Sequence, residues 1–417
     1  MNVERKPVFG SYLVIPLKYD GEFATAAAEL AHEPLTTMDL TENVKAMLSG
    51  EGDSAVGRCC RIEAERIRDC LTEGKQGALS IRCDSGTHPF EICTGWLYVF
   101  RTQVAFLCLG IRYEHMDVIN TLTGTGHADN KVSVLLTGEK GTGEIDLEAR
   151  LRAFCQSLGL RKFFDGPSSV LLEAYACTLG VFPKYFQTME ELRRITFRLH
   201  QMIPLESAMD DGSEEDTSFV YAVKSEEEAA YRWGYCVASQ KLSYAVANKG
   251  MDFPSEMRDF AADALPIVLL MLQQKYTCLR FTELIAQRKK PQELTRLKRM
   301  MLEFKAFGTV TPANLSRWHN IKQIYAHLLE ANDVVSAVDD ISTKLSILTE
   351  EQETIEAKRT DRMSNIITVF GLISILDSVI SIVSALKEGD PILWHCSTAT
   401  ASAVLVLLLL ASRSKKQ

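Results

Sequence analysis

Residues 11–19 (SYLVIPLKY) concentrate aliphatic and aromatic side chains, which predicts an opening strand. Residues 63–72 follow with helical spacing, and 78–83 return to strand character. Residues 91–101 and 104–113 make the clearest strand pair, turning near Thr102 and Gln103. Residues 132–136 predict a further strand and 145–158 a helix; 170–179, 219–223 and 231–246 complete the strand candidates. The acidic stretch 210–216 (DDGSEED) reads as a solvated loop. The pattern up to about residue 250 predicts an α/β domain with a substantially antiparallel sheet and no internal repeat.

Strand character ends at Ser255. Residues 260–287 are apolar on more than one face, centred on 264–272, too short to cross a bilayer and therefore a buried helix. Pro291 breaks it before a second helix over 292–307, and Gly308 and Pro312 close this helical region, 251–312. Ile321, Ile324, Leu328, Ala331, Val335 and Val338 then alternate by three and four, the seam of a coiled coil. The seam skips once before Ile341, Leu345, Leu348 and Ile355, an irregularity of the stammer type. A stalk helix is expected over 313–363; about 45 residues at ~1.5 Å each would reach ~70 Å.

Two apolar segments end the chain, 366–386 and 392–411, separated by Lys387, Glu388, Gly389, Asp390 and Pro391. About 20 apolar residues span a ~30 Å hydrocarbon core as helix, so each segment is long enough to cross once. The expected fold class is thus an α+β cytoplasmic domain, a long stalk helix and a C-terminal two-helix transmembrane hairpin over 364–411, with a basic tail over 412–417. A buried helical hairpin competes; the unbroken aliphatics from 404 to 410 argue against it. Lys358, Arg359 and Arg362 before the hairpin, and Arg413, Lys415 and Lys416 after it, place both termini on the cytoplasmic side of a multi-pass cell-membrane protein. Trp394 suits an interfacial anchor beside those tail residues, and no apolar leader begins the chain.

In the first apolar segment Ser364, Thr368, Gly371, Ser374, Ser378 and Ser381 recur on one helical stripe, with Asp377 beside them. One reading is close helix packing through small residues. The other is a pore lined by hydroxyls, with a ring of Asp377 carboxylates selecting cations in a homo-oligomer.

Composition adds limits. The 417 residues carry 24% charged and 46% hydrophobic side chains and a net charge of -8, which gives no support to nucleic-acid polymer binding. Arg288, Lys289, Lys290, Arg296, Lys298 and Arg299 form one basic cluster, read as a solvated or membrane-proximal helix face. Eleven scattered cysteines without CxxC spacing read as buried free thiols of a reducing cytoplasm. Neither the eight dispersed histidines nor the acidic loop has metal-ligand spacing, so no metal or cofactor is assigned from spacing. The stalk carboxylates Asp339, Asp340, Glu350, Glu351 and Glu353 read as a solvated face that subunit contacts could gather around a divalent ion. Gly138, Gly141 and Gly143 fit neither phosphate-loop pattern and read as a turn; no catalytic constellation can be argued from residue order.

A large α/β domain, a stalk helix running into a first span, a short loop, a second span and a basic tail together resemble the CorA-like two-transmembrane family, best over 313–417. The resemblance implies a pentamer whose first span lines the pore. The Gly-Met-Asn signature of that family is replaced here by Ser384-Ala385-Leu386-Lys387-Glu388-Gly389, which puts divalent-cation transport in doubt. The stretch 269–279 (LLMLQQKYTCL) also resembles CorA-like proteins linked to type III CRISPR systems, where the cytoplasmic domain senses a nucleotide messenger. The function expected is a homo-oligomeric channel or transporter gated through a sensor domain, with a lipid bilayer and a small-molecule or nucleotide ligand as partners. A non-conducting membrane-anchored sensor or interaction protein is the alternative.

Overall fold

The computed structural model describes residues 6–26, 28–37, 39–51, 55–124, 132–138, 141–165, 170–206, 221–224, 230–238, 241–287 and 291–387. Its strands, in chain order, are β1 (Val8–Lys18), β2 (Gly57–Ile62), β3 (Ala78–Cys83), β4 (Gly86–Phe100), β5 (Val104–Tyr113), β6 (Ser133–Gly138), β7 (Gly141–Asp146), β8 (Arg161–Lys162), β9 (Tyr175–Phe182), β10 (Tyr221–Lys224), β11 (Tyr231–Ala238) and β12 (Lys241–Ala247). The helices are α1 (Glu42–Leu48), α2 (Ala64–Thr72), α3 (Asp117–Leu122), α4 (Leu147–Ser157), α5 (Met189–Gln201), α6 (Phe253–Gln287), α7 (Pro291–Phe307), α8 (Pro312–Leu315), α9 (His319–Ala331) and α10 (Val334–Lys387). Two compact units divide the chain, Met1–Ser342 and Thr343–Gln417.

The first unit is built on one sheet in the order β10-β11-β12-β9-β1-β5-β4-β3-β6-β7, with β2 on β4 and β8 on β1. Every described pairing is antiparallel except β12 with β9. Strand β1 is buried almost end to end, because helices cover both faces. Leu13, Ile15 and Leu17 join a core with Ile67 of α2, Leu151 of α4 and Leu192 of α5. Tyr12 and Val14, one residue out of phase, join the opposite core with Val44 of α1, Leu269 of α6 and Ile324 of α9. Helix α6 buries 264–272 completely, as expected of an apolar run that is too short for a bilayer.

Local chemistry explains the joints. The β4–β5 turn holds Gln103 at φ 64, closed by the Gln103 N–H donating to the Phe100 carbonyl. Helix α4 starts where the Asp146 carboxylate accepts from the Ala149 N–H, and α5 where the Thr188 hydroxyl accepts from the Glu191 N–H. The glycine-rich stretch read as a turn before a helix is instead part of a hairpin, with Gly138 opposite Gly141, that joins β6, the strand expected over 132–136, to the unexpected strand β7. The single strand expected over 231–246 is likewise a hairpin, β11–β12.

The stalk does not run unbroken. Ile321, Ile324 and Leu328 lie in the sheet-facing core, and the backbone turns at Asn332 and at Asp333, whose φ is 54. Three-and-four spacing serves a helix laid on a sheet as well as a coiled-coil seam. Helix α10 then runs for 54 residues.

Among the described residues no helix is long and apolar enough to cross a membrane. The transmembrane hairpin of the expected fold class is corrected on this point. The described part of its first segment is punctuated by Ser364, Thr368, Ser374 and Ser378, which interrupt the apolar run a span requires. Its second segment, 392–411, lies outside the described residues, as do Trp394, Arg413, Lys415 and Lys416. The expected multi-pass cell-membrane localisation, with both termini cytoplasmic, falls with the hairpin, and so do the membrane and ion-channel readings built on it.

Candidate functional site

Of the residues expected to line a pore, Ser364, Thr368, Gly371, Ser374 and Ser378 are exposed on α10. The Thr368 hydroxyl donates to the Ser364 carbonyl at 2.8 Å and Ser378 to Ser374 at 2.9 Å, so both are satisfied within their own helix. Asp377 and Ser381 lie on the same helix, and their side chains are outside the described ones. The acidic loop at 210–216 and His127 are outside the described residues as well.

The described cysteines are free thiols. Burial pushes Cys59, Cys155 and Cys236 up to about 12, which makes them inert core residues, as their apolar neighbours in sequence suggest.

The first unit holds a broad cleft of about 1240 Å³ between the sheet and the first half of α6, lined by Tyr12, Trp96, Arg112, Phe253 and Met257 among others. Two of its cations are engaged: Arg61 pairs with Glu33 and Glu63, and the Arg112 guanidinium lies 5.3 Å from the Phe253 ring centre. Nearby, burial and then the neighbouring Asp39 carboxylate, which shares a hydrogen bond with it, raise Asp263 to about 7. A half-buried carboxylate pair of this kind retains a proton between its members.

A smaller cavity of about 290 Å³ lies where α6 and α7 approach the β4–β5 turn. Arg101 and Thr102 come from that turn, Gln273 from α6, and Arg299, Phe304 and Phe307 from α7. Gln273 is 1% exposed, and neither its Oε1 nor its Nε2 has a hydrogen-bond partner. Leaving such an amide unpaired costs about 1–3 kcal/mol. Phe304 is fixed against Phe281 edge to face at 5.7 Å, whereas Phe307 and Arg299 are exposed at the rim. The site pairs an apolar wall and an unused donor–acceptor amide inside with a cation outside. Sequence reasoning missed it, because a glutamine on an apolar helix face looks like an ordinary polar interruption.

Beneath the same turn Lys18 and Arg280, each 1% exposed, share Glu283: Lys18 Nζ stands 2.8 Å from Oε1 and Arg280 Nη1 2.8 Å from Oε2. Asp165 and Asp20 complete the pairs at 3.1 and 2.7 Å. Burial would raise the Glu283 carboxyl, yet the hydrogen bonds from Lys18 and Arg280 outweigh it and hold the group below the ordinary carboxylate value. This cluster ties β1 to α6.

Ser85, His88 and Asp117 also meet, but not as a nucleophilic triad. The Ser85 hydroxyl donates to Asp117 Oδ2, so its only proton points away from His88 Nε2, 2.8 Å off. A triad requires that proton on the line to the imidazole.

No protein-family model matches the chain, and no curated protein matches it.

Proposed function

We propose that the first unit is a small-molecule sensor that takes a nucleotide-like ligand at the Gln273 cavity. The observation that carries this reading is the buried Gln273 amide with both polar atoms unpaired inside a ready cavity. A glutamine amide matches a planar edge offering one donor and one acceptor side by side, as adenine does through N6 and N7. Phe304 supplies the apolar wall for such a ring, and Arg299 at the rim, which also pairs with Glu303 at 2.9 Å, suits an anionic group attached to it. The volume of about 290 Å³ fits one base and not a dinucleotide, since drug-sized ligands take ~300–1,000 Å³. The cavity wall belongs to the unit in which α10 begins, at buried Val334, so helix α10 is the element through which occupancy would be reported.

Calorimetric titration with AMP, ADP, ATP and cyclic mononucleotides tests the ligand. Saturable one-to-one binding is expected for at least one adenine nucleotide. Gln273→Leu should abolish it while leaving the ligand-free melting temperature unchanged or higher, because the unpaired amide is gone. Unaltered binding in that variant, or no binding by the parent at millimolar nucleotide, refutes the reading.

A further inference from the structure

The turn between β3 and β4 lies beside the junction of β5 and α3, and three side chains converge there. His88 comes from β4, His115 from the link after β5, and Asp117 opens α3. One donor atom from each lies within 4.8 Å of the others, and all three residues are half-buried. The imidazoles stack face to face, 4.1 Å between centres and 6° between planes. The Ser85 hydroxyl touches two of the three, donating to Asp117 Oδ2 and standing 2.8 Å from His88 Nε2.

Strand register explains the meeting. The β4–β5 pairing ends with Phe90 opposite Tyr113, and the two histidines lie two residues beyond it, His88 before Phe90 and His115 after Tyr113. The two histidines are 27 residues apart along the chain, so no ligand-spacing motif could have found them.

We propose that His88, His115 and Asp117 bind a divalent transition-metal ion, with zinc the preferred one. Two imidazole nitrogens and one carboxylate oxygen form a donor set of borderline softness that suits zinc and cobalt over magnesium or calcium. Donors around a tetrahedral zinc stand about 3.3 Å apart, so the three donor atoms must close in and the two stacked imidazole rings must turn out of parallel for both lone pairs to reach one ion. Three protein ligands leave a fourth position to water, and Ser85 on Asp117 supplies the outer hydrogen bond that orients a metal-binding carboxylate. A bound ion would pin the β3–β4 hairpin to the start of α3.

The full chain, stripped with EDTA and dialysed, is titrated with cobalt(II) by visible absorption and with zinc(II) by calorimetry. One equivalent of each per chain is expected, the cobalt form showing the intense visible bands of a four-coordinate site. The double variant His88→Gln/His115→Gln should bind about 100-fold more weakly or not at all, while His319→Gln binds as the parent does. The metal-free melting temperature shows whether the double variant is folded. Should it not be, diethylpyrocarbonate labelling of the parent decides, with zinc expected to protect His88 and His115. Less than half an equivalent bound, cobalt binding unmoved by the double substitution, or labelling of both histidines indifferent to zinc overturns the site.

Discussion

Large apolar side chains meet opposite fates in the two units. In the first, β1, β5 and α6 hide theirs under helices on both faces of a sheet, so that Leu107 is 0% exposed. In the second, Ile366, Ile367, Phe370 and Ile373 stand open on α10, with Phe370 67% exposed. Among the described residues the same types thus hold the first unit together and stand largely uncovered in the second, where Leu345 and Leu348 are nonetheless buried. Packing follows from what the chain returns to cover a face: helices α1 to α6, α8 and α9 bury apolar residues against the sheet, whereas nothing among the described residues returns over 366–383.

The comparison predicts its own largest contrast. Leu107→Ala should lower unfolding free energy by about 2–5 kcal/mol, and Phe370→Ala should change it by under about 0.5 kcal/mol. Urea denaturation followed by circular dichroism reads both. Equal losses would mean that α10 is packed as tightly as the sheet.

A second contrast concerns charge inside the first unit. Glu283→Gln leaves Lys18 and Arg280 sharing a neutral partner and should cost about 1–3 kcal/mol at pH 7. Because the Glu283 carboxyl is held below its ordinary value, its stabilisation is present above the unfolded carboxylate pKa and lost as pH falls through the folded one. The loss caused by the substitution should therefore shrink on acidification; a loss that stays constant from pH 7 to pH 3 counts against the buried pairing.

Asp263 gives the opposite slope. Its folded pKa of about 7 lies above the unfolded value, so its contribution is complete at low pH and disappears as pH rises through about 7. Asp263→Asn should flatten that decline and melt higher than the parent above pH 7. Melting curves between pH 5 and pH 8.5 that run parallel for the two proteins would show that Asp39 and Asp263 do not share a proton.

How much of this was legible in the sequence depends on the range of each cause. The β4–β5 pair and the buried α6 were readable, because a strand pair joined by a short turn and a long apolar run are local signals. The parallel register of β12 on β9 was not, since a crossover through α5 leaves no mark in either strand. Strand β6 was readable over 132–136, but its partner β7 hid in glycine-rich polar sequence of low strand propensity. The His88–His115 pair depends on register and the Gln273 cavity on three elements meeting, so both needed coordinates. The expected hairpin erred by taking hydropathy over 366–386 as sufficient, although serines and threonines recur through that stretch.

The smallest effect bears most directly on the hydroxyl stripe. Gly371 sits inside α10, and a methyl group added there would meet no atom within 4 Å. Glycine in a helix interior is less favourable than alanine by roughly 0.5–1 kcal/mol, chiefly through backbone entropy. Gly371→Ala should therefore slow amide exchange over 367–375 by about two- to fivefold, the same free energy expressed as an opening constant, with the melting of the first unit unchanged. A small residue kept for close approach would behave otherwise, because an added methyl would push a neighbouring helix away. Faster exchange in the alanine variant would thus reveal a packing partner on the stripe formed by Ser364, Thr368, Gly371, Ser374 and Ser378, and α10 would then resemble the covered helices of the first unit.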